Sequence, residues 1–555
     1  MNDWKKKAVV YETYVQSFKD SNNDGIGDLQ GLTEKLDYIK DLGANVIWLT
    51  PIFKSPLVDN GYDIADYEAI NPIYGTMNDF DEMLKKAHQK GLKIVMDLVV
   101  NHTSDQHKWF QESKKSKDNE YSDYYIWRDP KADGSAPTNL GSAFGGSAWT
   151  YVPERKQYYL HLFAQQQPDL NWDNPKVRQD VYKMMRFWLD KGVDGFRMDS
   201  ISFISKPKVF EDAPLEDHKE YGSYYYGSAN GPHIHEYLQE MNREVLSKYD
   251  VISIGETPHT TAKEAELFVN PDRHELDMVF QFEHMHVDYG EYGRYSDVTF
   301  KMSDLRKSMT KWQNSLSWNS NYLGNHDQPR IVSRFGNDSK YRKESAKMLA
   351  MITVLQKGTP FIFQGEEIGM TNLHVKNINE LKDLEAHNNY KFFLDQGILP
   401  EKSLEMVNRK TRDNARTPMQ WNSSLNAGFS EHKPWIEVNN NYKNINVESD
   451  LRDDESIYKF YQKLLDLKKN NQVLVDGDYK LIDVDDSDIF AFERRIDDHI
   501  VLVIGSFSSN KIKMDIPEEY RGRATLLLSN YDRQLDSLPE TLFLKPYEGI
   551  VVNID

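Results

Sequence analysis

Short apolar, β-branched runs at residues 8–15, 44–50 and 93–100 alternate with stretches whose apolar positions recur every three or four residues. Leu32, Leu36, Ile39 and Leu42 fall on that period between the first two runs, and Met83, Ala87 and Leu92 lead into the third. Short continuous runs predict strands and the 3.6 period predicts helices. After residue 103 the alternation stops. Residues 104–170 are rich in Lys, Asp, Ser, Tyr and Gly, with only short strand-like pieces such as 158–163. A connection that long predicts a folded insertion. Alternation resumes with a helical period over 177–189 and strands near 195, 251, 278, 321 and 359. Eight strand-helix units predict an α/β fold, a (β/α)8 or TIM barrel with its site at the strand C-termini. Ile457, Phe460, Tyr461, Leu464 and Leu465 mark one more helix, and only strands follow, near 489, 500, 525 and 549. The expected organisation is a barrel over 1–103 and 171–474, an inserted subdomain over 104–170 after the third strand, and a C-terminal antiparallel β-sandwich over 475–555.

Composition narrows the partners. At 555 residues the chain is long enough for several domains. A formal charge of -19 argues against nucleic acid, whose binding needs cations to neutralise phosphates. The absence of cysteine excludes disulfides and thiolate metal sites and fits a reducing compartment. No apolar stretch of signal-peptide length follows the basic start, and no run is long enough to span a bilayer. A cytoplasmic location with no membrane partner is expected, so the sequon Asn101-His102-Thr103 is expected to stay unglycosylated. Aromatics reach 12%, with 11 Trp and 32 Tyr, which suits stacking on sugar faces as well as a core.

Three carboxylates stand just past apolar runs: Asp199 in Gly-Phe-Arg-Met-Asp, Glu256 in Ile-Ser-Ile-Gly-Glu, and Asp327 in Gly-Asn-His-Asp. Acids at several strand ends can converge, and glycosidic cleavage needs an acid and a nucleophile on opposite sides of one bond. Each could instead cap a following helix. That explains poorly why Arg197 shares a strand face with Asp199. An Arg there is expected to keep Asp199 ionised, while burial should raise Glu256 so that it can donate a proton. His102, at a fourth strand end, reads more simply as structural.

Residues 97–102, 195–199, 255–256 and 325–327 resemble the four signature regions of the α-amylase superfamily (glycoside hydrolase family thirteen). Gln167-Pro168-Asp169-Leu170-Asn171-Trp172 is similar to the fifth region of its oligo-1,6-glucosidase branch, as are 278–285, 365–370 and 412–421. The resemblance runs nearly end to end. It implies a retaining exo-α-glucosidase acting on short isomalto- or malto-oligosaccharides. Asp199 would be the nucleophile, Glu256 the acid and then base, and Asp327 the stabiliser gripping the distorted ring. Arg197, His102 and His326 would bind the same sugar. Asp59, Tyr62 and Arg412 would close the site behind the non-reducing end, with Phe144, Phe163 and Phe282 as apolar walls. Ser200, directly after the nucleophile, would set linkage preference. Leu140 stands where relatives often carry Trp.

Oxygen donors at alternate positions in Asp20, Asn22, Asp24, Ile26 (carbonyl) and Asp28 suit a hard cation, and relatives with this loop bind Ca²⁺ there. His284 and His286 lack further spaced ligands for zinc. The alternatives are trehalose-6-phosphate hydrolysis, disfavoured by acidic Glu283 where a phosphate needs a cation, and sucrose isomerisation, disfavoured by the missing Arg-rich loop after the sixth strand. A monomer is expected.

Overall fold

The computed structural model describes residues 1–215, 219–484 and 486–554. The barrel strands are β1 (Val10–Thr13), β2 (Val46–Leu49), β3 (Lys93–Val99), β4 (Gly195–Asp199), β5 (Ile252–Glu256), β6 (Met278–Phe280), β7 (Ser320–Asn321) and β8 (Thr359–Phe363). Their sheet order is β6–β5–β4–β3–β2–β1–β8–β7. Pairs such as β4 with β5, β3 with β4 and β1 with β8 are parallel. Every strand foreseen from an apolar run is present. The reason is burial: β4, β5 and β8 are covered at every residue, and parallel strands hidden on both faces read as continuous apolar runs.

The chain divides into two compact units. One holds Met1–Ile47, Gln89–Leu92 and everything from Glu283 onward; the other holds Trp48–His88 and Lys93–Phe282. Within the latter, the residues after β3 fold into an antiparallel sheet of Trp127–Arg128, Trp149–Val152 and Gln157–Leu160. Leu140, Trp149, Leu160 and Leu162 give it a small core. Helix Pro175–Lys191 then returns the chain to β4. Asn174 caps it, Pro175 opens it, and Gly192 at φ 105° ends it.

The first unit ends in a β domain. Asp478–Leu481, Ile489–Ile496, His499–Ser506, Gly549–Ile554, Gly522–Ser529 and Ser537–Leu538 pair antiparallel in that order. A two-stranded antiparallel sheet of Ile512–Asp515 and Thr541–Leu544 shares their core through Met514, Leu542 and Leu544, giving two layers. Sequence reading missed the shorter of these strands because charged residues such as Lys513 and Asp515 interrupt them. Among the described residues no helix is long and apolar enough to cross a membrane.

Candidate active site

In the second unit, strand register decides which side chains meet. Asp97 on β3 lies opposite Arg197 on β4, Val99 lies opposite Asp199, and Ile254 on β5 lies opposite Arg197. The Arg197 guanidinium, 1% exposed, bonds three carboxylates. Its Nη1 lies 2.9 Å from Asp97 Oδ1 and 2.9 Å from Asp199 Oδ1, and its Nη2 lies 2.7 Å from Glu256 Oε1. Trp48 Nε1 and the Tyr62 hydroxyl donate to Asp97 Oδ2 at 3.2 and 3.0 Å. Asp97 is thus occupied in fixing Arg197, Trp48 and Tyr62.

One cation shared by three buried anions leaves them short of positive charge. Burial raises Asp199 to about 7 and Asp97 to about 6; Arg197 opposes both shifts, and a neighbouring carboxylate adds to each. This corrects the expectation that Arg197 alone would hold Asp199 ionised: desolvation wins because the guanidinium is divided. Asp199 and Glu256 both bond the Arg197 guanidinium, which brings the two carboxylates close together. Two carboxylates held on one guanidinium favour the close spacing of a retaining pair over the roughly 6.5–9.5 Å gap of an inverting one.

Ser200 contributes what its sequence position alone did not disclose. Its backbone N–H donates to Glu256 Oε2 at 2.8 Å, with its Oγ at 3.5 Å from the same oxygen. A left-handed φ of 44° aims that N–H. Such a conformation costs a non-glycine residue about 1–3 kcal/mol and clusters at functional sites.

His102 is buried, which lowers its pKa and keeps the ring neutral. Its Nε2–H donates to the Tyr62 carbonyl at 3.0 Å, and Nδ1 accepts from the Asn101 amide at 3.2 Å. Gln167 Nε2 donates to Asp59 Oδ2 at 3.1 Å. Phe163 lies 5.1 Å from the His102 ring and 6.0 Å from Phe144. Phe282 follows β6 and is half-buried. Behind His102, the buried Lys206 ammonium meets Asp169 at 2.8 Å, Asn101 Oδ1 at 2.7 Å and the Phe203 carbonyl at 2.6 Å.

In the first unit the proportions reverse. Asp327 receives Arg416 Nη2 at 2.7 Å, His326 Nε2 at 3.5 Å and Arg412 Nη1 at 3.7 Å, while Arg294 donates to its carbonyl. Burial would raise this carboxyl, but His326 and the three arginines hold it far below the usual range. Glu12, on β1, accepts from the His326 ring at 2.6 Å and from its backbone N–H at 3.2 Å. Arg412 pairs with Asp383 at 2.8 Å. Glu12, Asp383, Arg294 and Arg416 were not singled out from sequence. A charged residue inside the apolar run 8–15 was the available signal for Glu12.

The loop at 20–28 folds onto its own side chains. Asp20 accepts the N–H groups of Asn22, Asn23 and Gly25 at 3.0, 2.7 and 2.8 Å. Asn22 and Asp24 accept those of Asp24 and Ile26 at 2.9 and 2.8 Å, and Asp28 takes Ser21 and Gly31 at 2.9 and 2.7 Å. Gly25 has φ 90°, and a Cβ there would meet the Lys433 carbonyl oxygen at 2.3 Å. Among the described residues no three His, Asp or Glu side chains are grouped as a metal site. The donors are nonetheless all oxygen, so a hard cation would draw on Asn22 and the Ile26 carbonyl as well.

Comparison with known proteins agrees with this geometry. The family model for the α-amylase catalytic domain matches residues 12–477. The chain is 53% identical to the oligo-1,6-glucosidase of Parageobacillus thermoglucosidasius, covering 99% of each chain. It is 45% identical to the trehalose-6-phosphate hydrolase of Bacillus subtilis, over 99% of this chain and 98% of that one. The crystal structure of Bacillus licheniformis trehalose-6-phosphate hydrolase superposes with a TM-score of 0.94 at 46% identity, covering all of both chains. Trehalulose synthase from Pseudomonas mesoacidophila gives 0.95 at 41%, again over both whole chains. With the family model matched over residues 12–477 and this likeness along its whole length, the chain belongs to the α-amylase family of glycoside hydrolases.

Proposed function

We propose that the protein is a retaining exo-α-glucosidase, similar to the oligo-1,6-glucosidases, that frees glucose from the non-reducing ends of short isomalto- and malto-oligosaccharides. The observation that carries this reading is Asp199 and Glu256 held together on one guanidinium. Asp199 attacks C1 while Glu256 gives its proton to the glycosidic oxygen, so the aglycone leaves as an alcohol and a β-glucosyl ester forms. Glu256, now a carboxylate, takes a proton from water, which displaces Asp199 from C1 with net retention. Arg197 and the Ser200 N–H steady Glu256 in its anionic turn. Asp327, held ionised, is assigned the grip on ring hydroxyls, and His102 and His326 are each assigned contacts to the sugar. Asp59, Tyr62 and Arg412 are assigned the exo-limiting end, and Phe144, Phe163 and Phe282 the apolar walls.

Trehalose-6-phosphate hydrolase and trehalulose synthase are the names of similar proteins. Glu283 bonds Lys311 and Trp312, and an acid at this position is read as disfavouring a phosphorylated substrate. Sugar release from isomaltose, maltose, sucrose and trehalose-6-phosphate, with the product anomer read by NMR, tests the assignment. α-Glucose from isomaltose is expected; β-glucose first, or turnover of trehalose-6-phosphate alone, would overturn it. A structural Ca²⁺ at Asp20, Asn22, Asp24, Ile26 and Asp28, cytoplasmic residence and a monomeric state belong to the same proposal.

A further inference from the structure

We propose that Tyr224, Tyr225 and His259 form a platform for the sugars on the leaving side of the bond, so that aglycone length is read by this aromatic patch. The inference rests on the glucosidase reading above. Glu256 ends β5, and the chain continues through Thr257 and Pro258 to His259. The general acid protonates the leaving oxygen, so residues just beyond it border the departing sugar.

His259 is left-handed, with φ 57°. A non-glycine residue holds that conformation only where its surroundings over-determine it, and here two tyrosines do so. Its ring stacks on Tyr225 at 3.7 Å and 17° between planes. Its Nε2 meets the Tyr224 hydroxyl at 2.7 Å. Tyr224 in turn lies 5.9 Å from Phe203 and 6.3 Å from Phe163. An aromatic strip therefore runs from His102 through Phe163 and Tyr224 to His259 and Tyr225.

The outer end of the strip is open. Tyr225 and Tyr226 are 38% and 39% exposed. A ring with a polar tip, backed by a stacked imidazole, offers an apolar face to C–H groups and a hydroxyl to sugar oxygens. Strain stored beside the catalytic acid only to anchor a loop would not require exposed rings.

The test compares isomaltotriose with α-glucosyl fluoride, which shares the glycone and lacks a leaving sugar. In Tyr225→Ala and His259→Gly, the ratio of kcat/KM for isomaltotriose to that for the fluoride should fall about ten-fold, mostly through KM, the scale of one lost specificity contact. Tyr225→Leu, which keeps bulk without a ring, should show the same fall if Tyr225→Ala folds poorly. An unchanged ratio, or equal loss on both substrates, would overturn the platform alone. Wild-type protein inert towards both substrates would instead overturn the glucosidase reading and this inference with it.

Discussion

The two acidic clusters handle charge in opposite ways. On β3 to β5 one guanidinium serves Asp97, Asp199 and Glu256. Around Asp327, three arginines and His326 all lower one carboxyl, although Arg412 also pairs with Asp383 and His326 with Glu12. The first arrangement raises Asp199 and Asp97 towards neutrality, so protons there stay exchangeable. The second keeps a charge permanently on, which suits a group that only grips. Counting carboxylates does not separate these roles; counting cations per carboxylate does.

The sharpest way to break the comparison is to neutralise each acid in turn. Asp199→Asn should lower kcat by at least about 10⁴-fold, the scale of a lost nucleophile. Its melting temperature at neutral pH should not fall, because the change relieves anion crowding. Asp327→Asn should lower the melting temperature, since it takes the anion from Arg416 and weakens the charge balance around Arg412. Its side chain is 35% exposed, so solvent screening limits that loss to about 1 kcal/mol. A destabilised Asp199→Asn or a stabilised Asp327→Asn would reverse the assignment.

Titration separates the clusters next. Asp199 and Asp97 are raised when folded, to about 7 and about 6, so the folded state binds more protons than the unfolded one below those values. Stability should decline as pH rises from the ordinary carboxylate range to about 7, and Asp199→Asn should flatten that slope. Asp327 is depressed, so its contribution is present above the ordinary carboxylate value and is lost as pH falls below it. The acid limb of kcat/KM should reflect the first cluster as a coupled group. Asp97→Asn should move that limb to lower pH, because it removes a carboxylate that pushes Asp199 up. An acid limb that stays in place would exclude Asp97 from the group.

Smaller effects sharpen the picture. Ser200→Val should suppress maltose hydrolysis relative to isomaltose by about 10- to 200-fold. A β-branched residue at φ 44° is also strained, so the variant should melt earlier, whereas Ser200→Gly should not. Equal loss on both disaccharides would move linkage selection elsewhere. Chelator should lower the melting temperature before it alters kcat if the 20–28 loop holds Ca²⁺, by mass action on the folded state. An unchanged melting curve would reject the ion.

Much of the barrel was legible because its strands are buried on both faces and bounded by helical periods. The three carboxylates stood out because each closes an apolar run. What stayed hidden is three-dimensional. The meeting of Asp97, Asp199 and Glu256 on Arg197 follows from register between strands about 100 and 55 residues apart in the chain. The grip of the Ser200 N–H on Glu256 depends on one backbone angle, which no side-chain pattern encodes. Glu12 looked like an interruption in a strand until His326 was found against it.

The register of β3 with β4 also bears on how this scaffold can be altered. Arg197 and its three acids are fixed by ladder pairing, and a slip of one residue would turn every one of these side chains to the other face. Ser200 and His259 lie just beyond the strands that carry Asp199 and Glu256. Grafts that begin after residue 199 or residue 256 can therefore exchange substrate range while inheriting the reactive core intact, whereas a graft cut inside β3, β4 or β5 must carry all three strands together.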